Sequence, residues 1–199
     1  MAAANALVEA AWRGGLRPHL RAAGFAGTGR TWSRPFPDVT QWVAVCSSAG
    51  GRGRFVVEVA LAVPAIDDAL GAVGTRVLIN KVPATWAFRL PYHADDRSDS
   101  WWDAVADAET PVRLSAAWEA AGNPFVDRAR DLPSAAAALA SVGAHLPACG
   151  AAVALGDEST ATEQLALALA DVRPANPRFA EMIEAWGRTF GLKPDANQP

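Results

Sequence analysis

The chain has 199 residues, of which 51% are hydrophobic and 20% are charged, and its net charge is −3. This balance is typical of a soluble globular protein, and it excludes the basic surface that binds nucleic acid or an anionic membrane. No window is apolar for the length of a membrane span, and the N-terminus lacks the pattern of a signal peptide. Two cysteines, Cys46 and Cys149, fit no metal-binding spacing. We therefore expect a cytoplasmic protein with free thiols.

The first part of the chain is predicted to be helical over residues 3–24, because apolar residues recur there at helical spacing. Gly14 and Gly15 are expected to break or bend this segment, and Pro18 suits the first turn of a second helix. Gly24, which precedes an apolar residue, is typical of a left-handed helix stop. The sequence thus predicts two consecutive helices before the first strand.

The central segment carries the three most strand-like runs, at residues 30–34, 39–47 and 54–63. Both faces of the second run are mostly apolar, which indicates an interior strand that is covered on both sides. In the third run apolar residues alternate, and Arg54 and Glu58 indicate that the opposite face is partly wet. Prolines and glycines between the runs suit tight turns. These features predict an antiparallel meander.

The rest of the sequence is mainly helical in pattern. Ser98 or Asp99 is predicted to cap a helix that carries Trp101 and Trp102. The other predicted elements are a helix over 64–73, strands over 77–79 and 85–90, a helix from Thr110 that ends at Gly122, and helices that begin at Asn123, Ser134, His145, Thr160 and Asn176.

Together these elements predict an α+β fold, with a mainly antiparallel sheet of three to five strands packed by helices and a C-terminal all-helical extension. We place the sheet domain at residues 1–142 and the helical extension, packed on it, at residues 143–199. A single domain is the alternative.

A series of short patterns supports this architecture. In chain order they are LRAAGF at 20–25, GRTWSR at 29–34, the runs VTQWVAVCSS and RFVVEVALAV, Arg89-Leu90, Trp101-Trp102 and Leu132-Pro133. This order resembles the family catalogued as domain of unknown function 4304, over roughly residues 5–142. Val45-Cys46-Ser47 departs from it, because that family usually has a Gln-Lys-Ser-like run there. The resemblance implies an α+β domain without an established activity, and it carries over no catalytic residue.

Two glycine-rich segments come close to ligand-binding motifs. Residues 24–31 nearly spell a phosphate-binding loop, but arginine replaces the lysine and the predicted order is helix then strand, the reverse of what that loop needs. Residues 50–54 have the composition of an arginine-glycine nucleic-acid segment, in a single copy between two strands. We interpret the first as a helix stop with strand entry and the second as a hairpin loop.

Residues 93–99 carry the catalytic alternative. His93 with Asp95, Asp96 and Asp99 could ligate a metal or act as acid and base, which would make the protein a small-ligand or metal-dependent hydrolase. Against this hypothesis, no second histidine stands at ligand spacing, and the segment has the composition of a solvated loop. We expect no cofactor and no bound metal, and we favour a protein without enzymatic activity.

The tryptophan pair indicates the other function. Trp101 and Trp102 are adjacent and cannot face one direction, so one is expected in the core and the other exposed or under a neighbouring helix. Arg89, within an apolar strand, is predicted to pair with Asp99 or Glu58. We expect an interaction or regulatory domain, with an immunity-like role as one form of it, that binds another protein; its oligomeric state is left open. The candidate interaction surface comprises Trp101, Trp102, Arg89, His93 and Asp99.

Overall fold

The computed structural model describes residues 2–47, 54–74, 77–91, 101–103 and 109–193, with side chains from residue 5 onward. No helix in these ranges is both long and apolar enough to cross a lipid bilayer.

The chain divides into two compact units. The sheet unit comprises Met1–Pro35, Thr40–Ala62 and Leu78–Asp127, and the helical unit comprises Phe36–Val39, Val63–Val77 and Arg128–Pro199. The domain boundary predicted between residues 142 and 143 stays a prediction.

The elements confirm the predicted α+β class. The strands are β1 (Ala26–Thr28), β2 (Thr31–Pro35), β3 (Thr40–Ser47), β4 (Arg54–Ala62), β5 (Val77–Ile79), β6 (Val82–Ala84), β7 (Trp86–Arg89) and β8 (Trp102–Asp103). The helices are α1 (Ala2–Gly15), α2 (Arg17–Ala22), α3 (Pro64–Leu70), α4 (Glu109–Ala117), α5 (Asn123–Arg128), α6 (Leu132–Ser141), α7 (His145–Leu155), α8 (Glu158–Val172) and α9 (Pro177–Thr189). A 3-10 turn at Gly71–Val73 follows α3, and a π-helix at Trp118–Gly122 joins α4 to α5.

The main sheet is antiparallel, in the order β1-β2-β3-β4-β7, and β8 also pairs with β4. The predicted meander is confirmed, and β3 lies inside the sheet between β2 and β4 as expected. Val43 of β3 lies opposite Trp32 of β2 and Val59 of β4. Because paired residues point to one side of a sheet, these three side chains define what we call the inner face.

Helices of the sheet unit cover the inner face. Trp12 of α1 meets Trp32 edge-on, with 5.7 Å between ring centroids. Phe125 of α5 contacts Trp86 and Phe88 of β7. Trp12, Trp32 and Phe125 are buried. Full burial of a large apolar side chain contributes roughly 1.5–3 kcal/mol to folding, so this face anchors the unit.

The opposite, outer face is covered in part by the hairpin of β5 and β6. Ala44 and Ala60 of the main sheet form a buried cluster with Ile79 and Ala84 of the hairpin. Asn80 in its turn donates a 2.6 Å hydrogen bond from Nδ2 to Oγ1 of Thr31. Both faces of β3 are therefore covered, which is why its two faces are apolar.

The two glycines at the end of α1 differ in their role in helix packing. A Cβ atom at Gly15 would lie 2.4 Å from the carbonyl oxygen of Pro111 in α4, whereas a Cβ atom at Gly14 would come no closer than 3.5 Å to that proline. Ser115 Oγ also donates a 2.7 Å hydrogen bond to the carbonyl oxygen of Gly15. Of the two glycines, only Gly15 therefore lies where the backbones of α1 and α4 approach closely.

Replacing Gly15 by alanine is expected to lower the free energy of unfolding by about 1–3 kcal/mol, because backbone atoms of α4 would have to move. The matched control is Gly14→Ala, which should leave stability unchanged or raise it by up to about 1 kcal/mol through helix propensity. Urea unfolding followed by circular dichroism measures both variants. Equal effects of the two substitutions would contradict the close approach.

Two predictions about the middle of the chain are wrong. Trp102 and Asp103 form a strand paired with β4, where the sequence predicted a helix through Trp101 and Trp102. Gly122 does not end a helix either, since the helical path continues through the π-helix into α5. Pro124 lacks a backbone N–H, and its ring would clash with the carbonyl group four residues earlier in a regular α-helix. The helical bonding pattern therefore changes just before Pro124. Gly122 leaves room for the Trp118 indole, which a Cβ atom would approach to 2.3 Å.

Two helix starts lie upstream of their predicted positions. The N-cap of α6 is Asp131, with Ser134 as the third helical residue, and the N-cap of α8 is Asp157, with Thr160 in the same role. Each aspartate accepts hydrogen bonds from that residue's hydroxyl and from its backbone N–H, and these two bonds, the hydroxyl first, lower the pKa of both carboxyls. In α8, aspartate is a stronger N-cap than threonine. In α6, Ser134 is the third helical residue of a capping box with Asp131.

The helical unit packs α3 and α6 to α9 around small and branched side chains. Cys149 of α7, Leu165 and Leu169 of α8 and Ile183 of α9 share one buried cluster. The start of α9 at Asn176 and the left-handed stop of α7 at Gly156 agree with the predictions. The apolar side chains of α9 are only partly buried, since Ile183 is enclosed while Met182 remains exposed.

Candidate functional site

Three of the five candidate surface residues are described by the structure. Trp102 lies in β8, Trp101 comes directly before it, and Arg89 ends β7. His93 and Asp99, together with the other aspartates of the proposed catalytic loop, lie outside the described residues. The same holds for the arginine-glycine segment at residues 50–54, except for Arg54 itself.

Trp102 belongs to the core of the sheet unit. Its side chain is fully buried, lies on the inner face opposite Phe55 and stacks on that ring at a centroid distance of 6.3 Å. Its indole Nε1 donates a 3.2 Å hydrogen bond to the carbonyl oxygen of Leu90. The prediction that one tryptophan of the pair fills the core is therefore confirmed, and Trp102 contributes to stability rather than to a surface.

Trp101 is placed on the opposite side by strand geometry. Successive residues of a strand point to opposite faces, so burial of Trp102 on the inner face directs Trp101 to the outer face. Trp101 is half-buried there. The strand therefore directs the two tryptophans to opposite faces of the sheet. In the predicted helix their side chains would point in less opposed directions.

The edge of the sheet brings charged side chains beside Trp101. β7 and β8 both pair with β4, so Arg89 lies opposite Glu58 and Asp103 lies opposite Arg54. Arg54 and Glu58 are four positions apart in β4 and therefore share the outer face. Four charged groups therefore surround one stretch of sheet edge.

Both guanidinium groups stack on the indole of Trp101. The Cζ atom of Arg54 lies 5.6 Å from a Trp101 ring centroid and that of Arg89 lies 5.5 Å from it. Nε of Arg89 is 3.5 Å from Glu58 Oε1, and Nε of Arg54 is 3.5 Å from Asp103 Oδ1. The predicted pairing of Arg89 with Glu58 is confirmed. We call these five residues the Trp101 surface.

Cys46 borders the Trp101 surface without forming a nucleophile. Its thiol donates to Glu58 Oε2 across 3.6 Å. Burial, and then the nearby carboxylate, raise the pKa of Cys46 to about 11. At neutral pH the thiol is therefore protonated, whereas nucleophilic cysteines need a lowered pKa.

Metal and phosphate motifs are also tested by the geometry. Within the described ranges, no group of three or more His, Cys, Asp or Glu side chains could hold a metal ion. The segment that nearly spells a phosphate-binding loop contains β1, which turns at Gly29 into β2. The loop follows a helix and leads into a strand, so the predicted order of elements is confirmed, the reverse of the order in a phosphate-binding loop.

Sequence reasoning found Trp101 and Arg89 but overlooked Arg54 and Asp103 as their neighbours. The sequence did offer a signal for Arg54, because Arg54 and Glu58 mark the solvent-facing side of the strand that became β4. The sequence offered no such signal for Asp103, since its position depends on the pairing of β8 with β4. Only register across the sheet brings these side chains together.

The fold is that of an α+β protein built on a small antiparallel sheet with helices on its inner face. The chain belongs to the family described as "Domain of unknown function (DUF4304)", whose model matches residues 16–117, from the start of α2 to the end of α4. The resemblance seen in the sequence is thereby confirmed. No curated protein and no solved structure matches the chain.

Proposed function

We propose that the sheet unit is a protein-interaction domain that binds its partner through the Trp101 surface. The observation that carries this proposal is the position of Trp101, half-buried on the outer face between two guanidinium groups. The side chains of Arg54 and Arg89 are 43% and 47% exposed, so a partner can reach both. Trp102 fills the core of the sheet unit, so the Trp101 indole beside the two arginines is not needed there.

The residue types at this surface are those that concentrate binding energy. Tryptophan and arginine are enriched at the energetically dominant positions of protein interfaces. Stacking on a ring holds a guanidinium in place while its N–H groups still point outward, which reduces the entropy lost on binding. The Trp101 surface is thus partly ordered before a partner arrives.

The described side chains at the Trp101 surface support binding better than catalysis. The cysteine beside it is protonated at neutral pH, and each arginine lies next to a carboxylate. Neither arrangement activates a nucleophile. The hydrolase alternative depends on His93 and Asp99, which lie outside the described residues, and remains a hypothesis.

Selection from a random peptide library tests the proposal. We expect peptides selected on the wild-type chain to lose about tenfold or more in affinity on Trp101→Ala and on Arg89→Gln, as for residues at the centre of an interface. The matched control is Val112→Ala, which removes an exposed apolar side chain of α4. It should bind the same peptides as the wild type does.

Fluorescence anisotropy with labelled peptides gives the affinities. Selected peptides that bind Trp101→Ala as tightly as the wild type would contradict the proposal, as would a selection that yields no specific binder. Circular dichroism of each variant establishes that it is folded.

A further inference from the structure

A second pair of arginines stacks on a different indole. Arg17 and Arg21 stand four residues apart in α2, so their side chains lie on one face of the helix, one turn from each other. Their Cζ atoms lie 5.8 and 5.9 Å from a ring centroid of Trp32 in β2. Two positive charges are therefore held over one aromatic ring.

Neither arginine is neutralised by a carboxylate in the part of the chain that the structure describes. The carboxylates of Glu9 and Glu119 are bonded to other side chains. Glu9 accepts hydrogen bonds from Trp12, Arg13 and Arg30, and Glu119 contacts His19 at 2.8 Å. Among the described side chains the pair is thus a concentration of positive charge without a carboxylate partner, in a chain whose net charge is negative.

Arg17 also carries an unsatisfied buried donor. Its Nε atom is shielded from solvent and has no hydrogen-bond partner among the described residues. Most buried polar groups in proteins are hydrogen-bonded, so this exception shows that packing on Trp32 has a cost for the Arg17 side chain. The nearby Arg34 behaves differently, because it donates to Gln41, Ala23 and Asp127.

Stability alone does not account for the arrangement. Like charges four residues apart in a helix repel each other. Attraction between the guanidinium groups and the indole offsets part of this repulsion, but it leaves the Nε donor of Arg17 unsatisfied. A bound anion would neutralise both charges at once. It would be held by the guanidinium nitrogens other than the Nε atom of Arg17, because that atom is shielded from solvent.

We propose that Arg17 and Arg21 bind a dianionic phosphate group, either as free phosphate or as a phosphate ester. Two guanidinium groups present forked donors that match tetrahedral oxyanions, and their two charges match a phosphate dianion better than a single carboxylate. Trp32 is only 4% exposed, so its ring is not available for stacking on a nucleobase. The ligand is therefore recognised by its phosphate group. This site is separate from the Trp101 surface.

Calorimetric titration of the full chain with inorganic phosphate at low salt tests the site. We expect saturable binding that weakens as sodium chloride is added, since screening reduces attraction between charges. Arg21→Gln and the double variant Arg17→Gln/Arg21→Gln should bind at least about tenfold more weakly, as expected for lost charge-assisted hydrogen bonds. Arg178→Gln, an exposed arginine of α9, makes the same charge change elsewhere and should bind as the wild type does.

A site-specific readout separates this proposal from general salt effects. The Trp32 indole N–H donates to the carbonyl oxygen of Gly29, and that of Trp186 donates to Ala69. Phosphate should shift the Trp32 indole resonance in a nitrogen-proton correlation spectrum and leave that of Trp186 in place. Arg21 is exposed, so its single variant is expected to remain folded if the double variant does not.

A short peptide of neutral residues, with and without one phosphoserine, distinguishes the two sources of phosphate. Tighter binding of the phosphopeptide than of inorganic phosphate assigns the site to phosphorylated segments, and the reverse assigns it to free phosphate. The proposal is overturned if phosphate does not bind, if the Arg21→Gln variant binds it unchanged, or if chloride at equal ionic strength shifts the Trp32 resonance equally.

Discussion

Replacing Trp102 by alanine is expected to lower the free energy of unfolding by about 3–5 kcal/mol, the range for large aromatic side chains removed from a core. The indole is fully buried, stacks on Phe55 and donates to the carbonyl oxygen of Leu90. Its removal leaves both a cavity and an unsatisfied acceptor. Urea unfolding followed by circular dichroism measures the effect. A small domain has only about 5–15 kcal/mol of stability, so this loss is severe.

The neighbouring residue is the matched control for this prediction. Trp101→Ala removes the same side chain from the half-buried outer face, and we expect a loss of about 1 kcal/mol or less. Trp102→Phe keeps much of the packing and removes the donor to Leu90, so it should cost about 1–3 kcal/mol. Similar losses for the two alanine variants would show that the assignment of core and surface is wrong.

Arg34→Met should lower the free energy of unfolding by about 2–4 kcal/mol, because it breaks a partly buried hydrogen-bond network while keeping most of the apolar stem. The guanidinium group lies over the ring of Phe25 and donates to Gln41 Oε1 at 2.8 Å and to the carbonyl oxygen of Ala23. Gln41 is fully buried and donates in turn to the carbonyl oxygen of Val126 at 2.6 Å. Urea unfolding at neutral pH measures the loss.

Two comparisons make the Arg34 prediction specific. Arg34→Lys should not restore stability, since an ammonium group cannot reproduce the forked donors. Arg13→Met removes an arginine that is 63% exposed and paired with Glu9, and it should cost no more than about 1 kcal/mol. In a double-mutant cycle, Arg34→Met and Gln41→Leu should show a coupling energy of about 0.5–3 kcal/mol. Additive losses would contradict a shared network.

The correct predictions depended on local patterns. Alternation of apolar residues in β3 and β4 predicted the meander, because side chains alternate strictly along a strand and one face must be buried. The caps at Asn176 and Gly156 were predicted for a similar reason, since capping depends on a few neighbouring backbone groups. Signals of this kind need no knowledge of the rest of the fold.

The wrong predictions involve residues whose conformation depends on distant partners. Trp101 and Trp102 were predicted in a helix because local capping favoured it, but pairing of β8 with β4 outweighs that preference. Gly122 resembled a helix stop, yet its small size serves the neighbouring Trp118 ring. The strand β1 had no clear pattern, since its three residues are all exposed.

By itself, the sequence determined the α+β class, the antiparallel meander and the family. It also determined that one tryptophan of the pair Trp101 and Trp102 lies in the core. These properties follow from periodicity and short motifs, which are encoded by neighbouring residues. Only the tertiary structure decided which tryptophan is buried and which groups surround each arginine pair. Strand register brings Arg54 and Arg89 to Trp101, and packing of α2 on β2 brings Arg17 and Arg21 to Trp32. Such neighbours are distant in the chain, and contact between them arises only when the chain folds.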